Sequence, residues 1–174
     1  MSRLWFITRG TFVCVPPKCG GTAVYRAAFD VPSTVSDRHV FTAVRNTTVF
    51  FDPDQMIRCG LRAVQAYRDP VERFKSLWRD KCRDGDDNLP WLEGLTPSEL
   101  MDFIEGRPEE NHHWRRQADF YRPGVELVDY RRILEVLGLP QIRANVSRPD
   151  DTPVPVERIR AHYRADFELA SCVT

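Results

Sequence analysis

The chain has 174 residues, 42% hydrophobic and 29% charged, and its 25 Lys and Arg balance its 25 Asp and Glu. That length and composition suit a single folded domain over residues 1–174 and exclude a disordered or fibrous chain. A net charge of zero excludes a general nucleic-acid coat and a polybasic membrane binder.

The opening run through Trp5-Phe6-Ile7 is too short for a signal-peptide core, and no stretch approaches the roughly 20 apolar residues that cross a bilayer. Five scattered cysteines, odd in number and without a C-x-x-C pair, suit free thiols in a reducing compartment. A cytoplasmic setting is the expectation.

Thr11–Val15 is a short β-rich apolar run ended by Pro16-Pro17, and it predicts a buried strand. Gly20-Gly21-Thr22 then opens a helix through Phe29, which Pro32 ends. A second strand is predicted over Arg62–Tyr67. Asp69-Pro70 follows it and starts a helix running to about Cys82. Thr96-Pro97-Ser98-Glu99 is a capping box at the head of a helix through Ile104. A strand at Val125–Val128 and a helix from Tyr130 to Leu137, stopped by Gly138, come next. Pro155 starts a last helix carrying Ile159, Tyr163, Phe167 and Leu169. Strand, glycine-rich loop and helix, then strand and helix again, predict an α/β domain with a P-loop-like central parallel sheet flanked by helices. Ligands in such sheets bind at the C-terminal ends of the strands.

Two segments carry charge suited to a small anion. In the first, Lys18-Cys19-Gly20-Gly21-Thr22-Ala23, the glycines let backbone N–H groups approach an anion. The helix N-terminus adds partial positive charge, and Lys18 and the Thr22 hydroxyl add donors. Residues 1–29 hold four bases and no acid. The loop is not a Walker A sequence, since its lysine precedes the glycines; an ordinary glycine-rich corner is the plain alternative. In the second, Arg68-Asp69-Pro70-Val71-Glu72-Arg73-Phe74-Lys75-Ser76, an arginine at a strand end can fork onto a phosphate, with the Ser76 hydroxyl beside it. Residues 68–83 hold six bases against three acids. A solvated helix with Arg73 paired locally to Asp69 or Glu72 is the alternative here.

Taken together, Lys18-Cys19-Gly20-Gly21-Thr22 after one strand and Arg68-Asp69-Pro70-x-x-Arg73-x-x-Ser76 after a later one resemble the sulfotransferase superfamily, in its compact carbohydrate-type form. The resemblance implies a first loop for the 5′-phosphosulfate of 3′-phosphoadenosine 5′-phosphosulfate (PAPS) and a second motif for its 3′-phosphate. Lys18, Cys19, Gly20, Gly21, Thr22, Ala23, Arg68 and Ser76 are then the donor-binding residues. Two departures stand out: a second glycine, and Ala23 where a hydroxyl is common. Asp37-Arg38-His39-Val40-Phe41-Thr42-Ala43 resembles the histidine-led segment between the motifs, which implies His39 as general base, with His113 and then Asp37 as alternatives. Asn111-His112-His113-Trp114-Arg115-Arg116-Gln117 resembles the H-x-x-P-Q segment, with Arg116 in place of proline. His113, Arg116 and Gln117 are expected on the acceptor side. Leu127-Val128-Asp129-Tyr130 to Leu139-Pro140, and then Tyr163–Leu169, resemble the C-terminal part.

The implied reaction moves a sulfuryl group from PAPS to a hydroxyl or amine of a carbohydrate or small molecule, with no metal. Lys18 serves both chemistry and binding. Tyr67 and Trp78 are candidates either for adenine stacking or for the core. Residues 84–110 hold nine acids against one base; on the acceptor side they would disfavour highly sulfated polyanions, and otherwise they form a solvated face. A nucleotide kinase of the P-loop type and a non-catalytic nucleotide-binding module remain the competing readings.

Overall fold

A computed structural model of the protein describes residues 5–36, 40, 52–107, 111–142 and 150–174. The chain divides into two compact units. One comprises Met1–Tyr67, Phe120–Asn145 and Cys172–Thr174; the other comprises Arg68–Asp119 and Val146–Ser171.

The first unit is built on a four-stranded sheet in the order β1 (Trp5–Thr8), β2 (Thr11–Cys14), β3 (Arg62–Tyr67), β4 (Glu126–Asp129). The expected all-parallel sheet is mixed. β2, β3 and β4 are parallel, with Cys14 opposite Gln65 and Tyr67 opposite Asp129, while β1 pairs antiparallel with β2. The cause is the two-residue connection Arg9-Gly10, which is too short for a crossover and makes a hairpin. Both residues have positive φ, +46° and +73°, the geometry of the tight turns that match strand twist. The run at Trp5, set aside in the sequence as too short for a leader, is therefore an edge strand.

Both faces of this sheet are covered: β2 is apolar on successive residues, and β3, whose sequence alternates, is buried from Ala63 to Tyr67 with Gln65 among them. Phe6, Val13, Val64, Ala66 and Val128 pack with Val24 and Tyr25 of α1 (Gly21–Ala28) and with Ile133 and Leu134 of α5 (Ile133–Val136). Trp5, Phe12, Cys14 and Ala63 face the other way, onto Phe120, Val125 and the partly buried Met56 and Ile57 of α2 (Pro53–Arg58). The α2 helix starts on Asp52-Pro53, a signal of the same kind as Asp69-Pro70, and the Asp52 carboxylate accepts from Asp54 N at 3.0 Å. The helix expected from Tyr130 starts later, because Asp129 accepts from Arg131 N at 2.8 Å and holds a turn first. Gly138, at φ +62°, lies just beyond its end.

The second unit is helical. Its α3 (Pro70–Trp78) starts as the sequence predicts: Asp69 accepts from Val71 N and Glu72 N at 2.9 and 3.0 Å, and Pro70 occupies the first turn. The helix then widens into a π turn at Arg79–Arg83, closed by Asp84 N on Arg79 O. The Thr96–Glu99 capping box heads α4 (Pro97–Gly106), a device worth about 1 kcal/mol. The single last helix expected from Pro155 is two, α6 (Val156–His162) and α7 (Arg164–Leu169), broken at Tyr163, whose hydroxyl donates to Trp114 O at 2.8 Å. Phe74, Leu77, Leu92, Leu100, Met101, Ile104, Trp114 and Ile159 form the core of this unit. Among the described residues no helix is long and apolar enough to cross a membrane.

Within the π turn, Lys81 Nζ lies 2.9 Å from Asp80 Oδ2 and hydrogen-bonds Asp86. Burial alone would raise the Asp86 carboxyl, but the Lys81 ammonium and the Asn88 amides outweigh it and bring its pKa down to about 2. The folded value lies below the unfolded one of about 3.9. The stabilisation is thus complete above about pH 4 and disappears as pH falls through about 2. Urea unfolding from about pH 5 down to about pH 2 should show stability falling, and Asp86→Asn should reduce that slope. An unchanged slope in the variant would rule out the pair as a contributor.

Candidate functional site

The first candidate segment lies at the C-terminal end of β2. Lys18 and Gly20 both adopt left-handed backbone, φ +68° and +83°, and Gly20 is the N-cap of α1. Cys19 N donates to Pro16 O at 3.1 Å, so the chain turns sharply and then enters the helix. As in any α-helix, the first-turn amides of α1 point out of its N-terminal end, where they and the helix dipole favour an anion. No acidic side chain stands in that first turn. Lys18 is half-buried beside the loop; Thr22 and Cys19 are buried, with Cys19 Sγ 3.8 Å from Pro17 O. Burial pushes the neighbouring Cys14 thiol well up, and Cys19 adds to the rise, so Cys14 is a neutral core group.

The end of β4 reaches the same loop. Tyr130 N donates to Tyr67 O at 2.8 Å, and a Cβ placed on Gly20 would stand 3.7 Å from Tyr130 Cδ2. The Arg131 guanidinium lies 5.0 Å from the centre of the Tyr130 ring. The sequence marks Tyr130 as a helix start and as part of the segment resembling the C-terminal region, with no role at the loop. Its place just past a parallel strand, where ligands bind in such sheets, is the signal that would have singled it out.

The second candidate segment belongs to the other unit. Arg68 follows β3 directly, and its Nε stands 3.8 Å from Glu72 Oε2. Glu72 and Ser76 follow at helical i+4 spacing, and Ser76 is buried. Arg73 reaches residues far from it in the chain. It is 3% exposed, points inward, donates to Arg115 O at 2.8 Å and His113 O at 3.2 Å, and lies 3.9 Å from Asp166 Oδ2. Asp166 and Gln117 are fully buried. Asp166 accepts from Gln117 N at 3.0 Å and Ala118 N at 2.8 Å, and the Gln117 side chain accepts from Arg68 N at 3.0 Å and donates to Arg68 O at 2.8 Å. Burial pushes the Asp166 carboxyl above its ordinary value, against the pull of Arg73 and these amides.

The other expected residues of this unit sit nearer the surface. The half-buried His113 has its ring 4.2 Å from that of His112, and Arg115 and Arg116 each stand 3.4 Å from Asp119. Trp114 is core, its indole N–H on Arg107 O at 3.0 Å. Trp78 donates to Leu95 O at 2.8 Å and packs on the helical core, and Tyr67 is buried at the end of β3, so both serve packing. Much of the acidic run is paired within the unit: Asp84 with Arg83, Asp86 with Lys81, and Asp102 and Glu105 with Arg158.

The expected residues therefore form two groups. Lys18, Cys19, Gly20, Gly21, Thr22 and Ala23 make one loop in the first unit. Arg68, Ser76, His113, Arg116 and Gln117 belong to the second, where Gln117 holds Arg68. His39, with Asp37, lies outside the described residues. No family model, no curated protein and no solved structure matches the chain.

The left-handed backbone of Gly20 gives a direct test. A Cβ there meets Tyr130 only at ordinary contact distance, so the cost of Gly20→Ala is backbone strain, about 1–2 kcal/mol. Chemical denaturation of the full chain should show a loss of that size. A variant as stable as the parent would mean that the loop does not require this conformation.

Proposed function

We propose that the chain is a PAPS-dependent sulfotransferase acting on a hydroxyl or amine of a carbohydrate or small molecule. The observation that carries this reading is the loop after β2. Left-handed Lys18 and Gly20 turn the chain into an acid-free helix start, in a motif that resembles the phosphosulfate loop of that superfamily. The resemblance of Arg68 to Ser76, directly after a later parallel strand, supports it.

The chemistry asks for positioning and for donors where charge develops. The acceptor oxygen or nitrogen attacks sulfur in line, and the bond from sulfur to the phosphate oxygen breaks. His39 takes the acceptor's proton, a task that suits an imidazole near neutral pH. Lys18 and the loop amides hold the phosphate oxygen as it becomes negative. Arg68 and Ser76 hold the 3′-phosphate, through a charge-assisted fork and a hydroxyl bond. Adenosine 3′,5′-bisphosphate and the sulfated acceptor are the products, and the proton leaves through the base.

Calorimetry should show adenosine 3′,5′-bisphosphate binding without magnesium and more tightly than Mg-ATP. Lys18→Ala and Arg68→Ala should each weaken it by about tenfold or more, since each removes a charge-assisted contact. His39→Ala should abolish transfer of labelled sulfate and leave bisphosphate affinity nearly unchanged. Preference for Mg-ATP would overturn the reading in favour of a kinase-like enzyme. Bisphosphate binding with no transfer to any acceptor would leave a nucleotide-binding module.

A further inference from the structure

β3 ends at Tyr67, and Arg68 is the first residue beyond its ladder. A residue in that position has a backbone N–H and a C=O that no strand partner supplies. The Gln117 side chain supplies both. Its Oε1 accepts from Arg68 N at 3.0 Å, and its Nε2 donates to Arg68 O at 2.8 Å. A primary amide is the one side-chain group that matches a backbone unit donor for acceptor and acceptor for donor.

The orientation of that amide is itself fixed. Asp166 Oδ2 stands 3.4 Å from Gln117 Nε2 and accepts from Gln117 N at 3.0 Å, so the nitrogen of the amide is held on the Asp166 side. The other Asp166 oxygen takes Ala118 N at 2.8 Å. Arg73 lies 3.9 Å from the same carboxylate and hydrogen-bonds the carbonyls of His113 and Arg115. The segment from Arg68 to Arg73 thus closes on itself: Arg73 holds the chain that carries Gln117, and Gln117 holds the backbone of Arg68.

We infer that Gln117 is a positioning residue for the anion site, clamping the Arg68 backbone so that its guanidinium is aimed at the ligand, with Asp166 setting the direction of the clamp. The inference rests on the proposed role of Arg68 toward the 3′-phosphate. It assigns Gln117 to Arg68 and not to the acceptor.

Two near-isosteric variants of the full chain test it. Gln117→Glu sets carboxylate oxygens against Arg68 O and Asp166. Gln117→Met keeps the volume and removes both hydrogen bonds, and it serves where the first variant folds poorly. Calorimetry with adenosine 3′,5′-bisphosphate and with adenosine 5′-monophosphate should show the bisphosphate weakened about tenfold and the monophosphate unchanged, because only the first carries the phosphate that Arg68 takes. Loss of fold alone would weaken both ligands alike, and that outcome overturns the inference. Amide hydrogen exchange gives a second readout independent of any ligand: the Arg68 N–H should exchange at least about tenfold faster in either variant. An Arg68 amide as protected as in the parent also overturns it. Should the parent chain bind neither nucleotide, the sulfotransferase reading falls, and the exchange result alone decides whether Gln117 clamps Arg68.

Discussion

Asp166 is a carboxylate with no exposure to water, and the second unit is arranged around what that group requires. Burying an ion costs several kcal/mol unless opposite charge and hydrogen bonds are placed against it. Here the opposite charge comes from Arg73 of α3, and the hydrogen bonds come from the amides of Gln117 and Ala118. Residues 113–116 are irregular and Gln117–Asp119 form one 3-10 turn, with backbone groups that cannot all pair within the segment. Asp166 takes the N–H groups of Gln117 and Ala118; Arg73 gives to the carbonyls of His113 and Arg115; the Tyr163 hydroxyl gives to Trp114 O. An acid and a base together satisfy donors and acceptors alike, which no pair of apolar side chains does. The ion pair is therefore better understood as a scaffold for irregular backbone than as a net source of stability.

The first unit meets the same problem of irregular chain by different means. Its loop after β2 is held by backbone conformation, with Lys18 and Gly20 left-handed, and by the sheet beneath it, whose two faces are both packed. Tyr130 lies against Gly20 and is tied to the end of β3 through Tyr67 O. A lysine held at positive φ is an uncommon choice and costs strain. Such strain is most often found where a loop must present its amides in one direction, which agrees with the anion site proposed for it.

What could be read from the sequence follows the range of the interactions. Strand β3 is bounded by its own composition, α3 by Asp69-Pro70, and α4 by Thr96 and Glu99: these signals act within four residues, and the elements form where they predict. The hairpin at Arg9-Gly10 was missed because arginine rarely adopts the turn's positive φ, and with it the antiparallel edge. The break at Tyr163 has no proline or glycine to mark it in the sequence, and the Tyr163 hydroxyl bonds Trp114 O, 49 residues away. The loop from Lys18 to Ala23 is legible as a local pattern. Gln117 is legible as part of the segment Asn111–Gln117, but its hold on Arg68 is not, nor is the part played by Asp166: Gln117 reaches Arg68 across 49 positions, and Asp166 reaches Gln117 across another 49.

This difference in range also changes how the segment Arg68 to Ser76 reads. By spacing alone, Arg68, Arg73 and Ser76 look like three ligands on one element. Arg68 stands before the Asp69 cap of α3 and faces Glu72, while Arg73, inside the helix, is the arginine that is buried, beside Asp166. Ser76 follows Arg73 by three residues and is buried as well. One short stretch thus carries both the arginine proposed for the 3′-phosphate and the buried arginine that holds the chain around it. That hold works only through Asp166 and Gln117, so the stretch is incomplete as a unit of structure without residues that stand far from it in the chain.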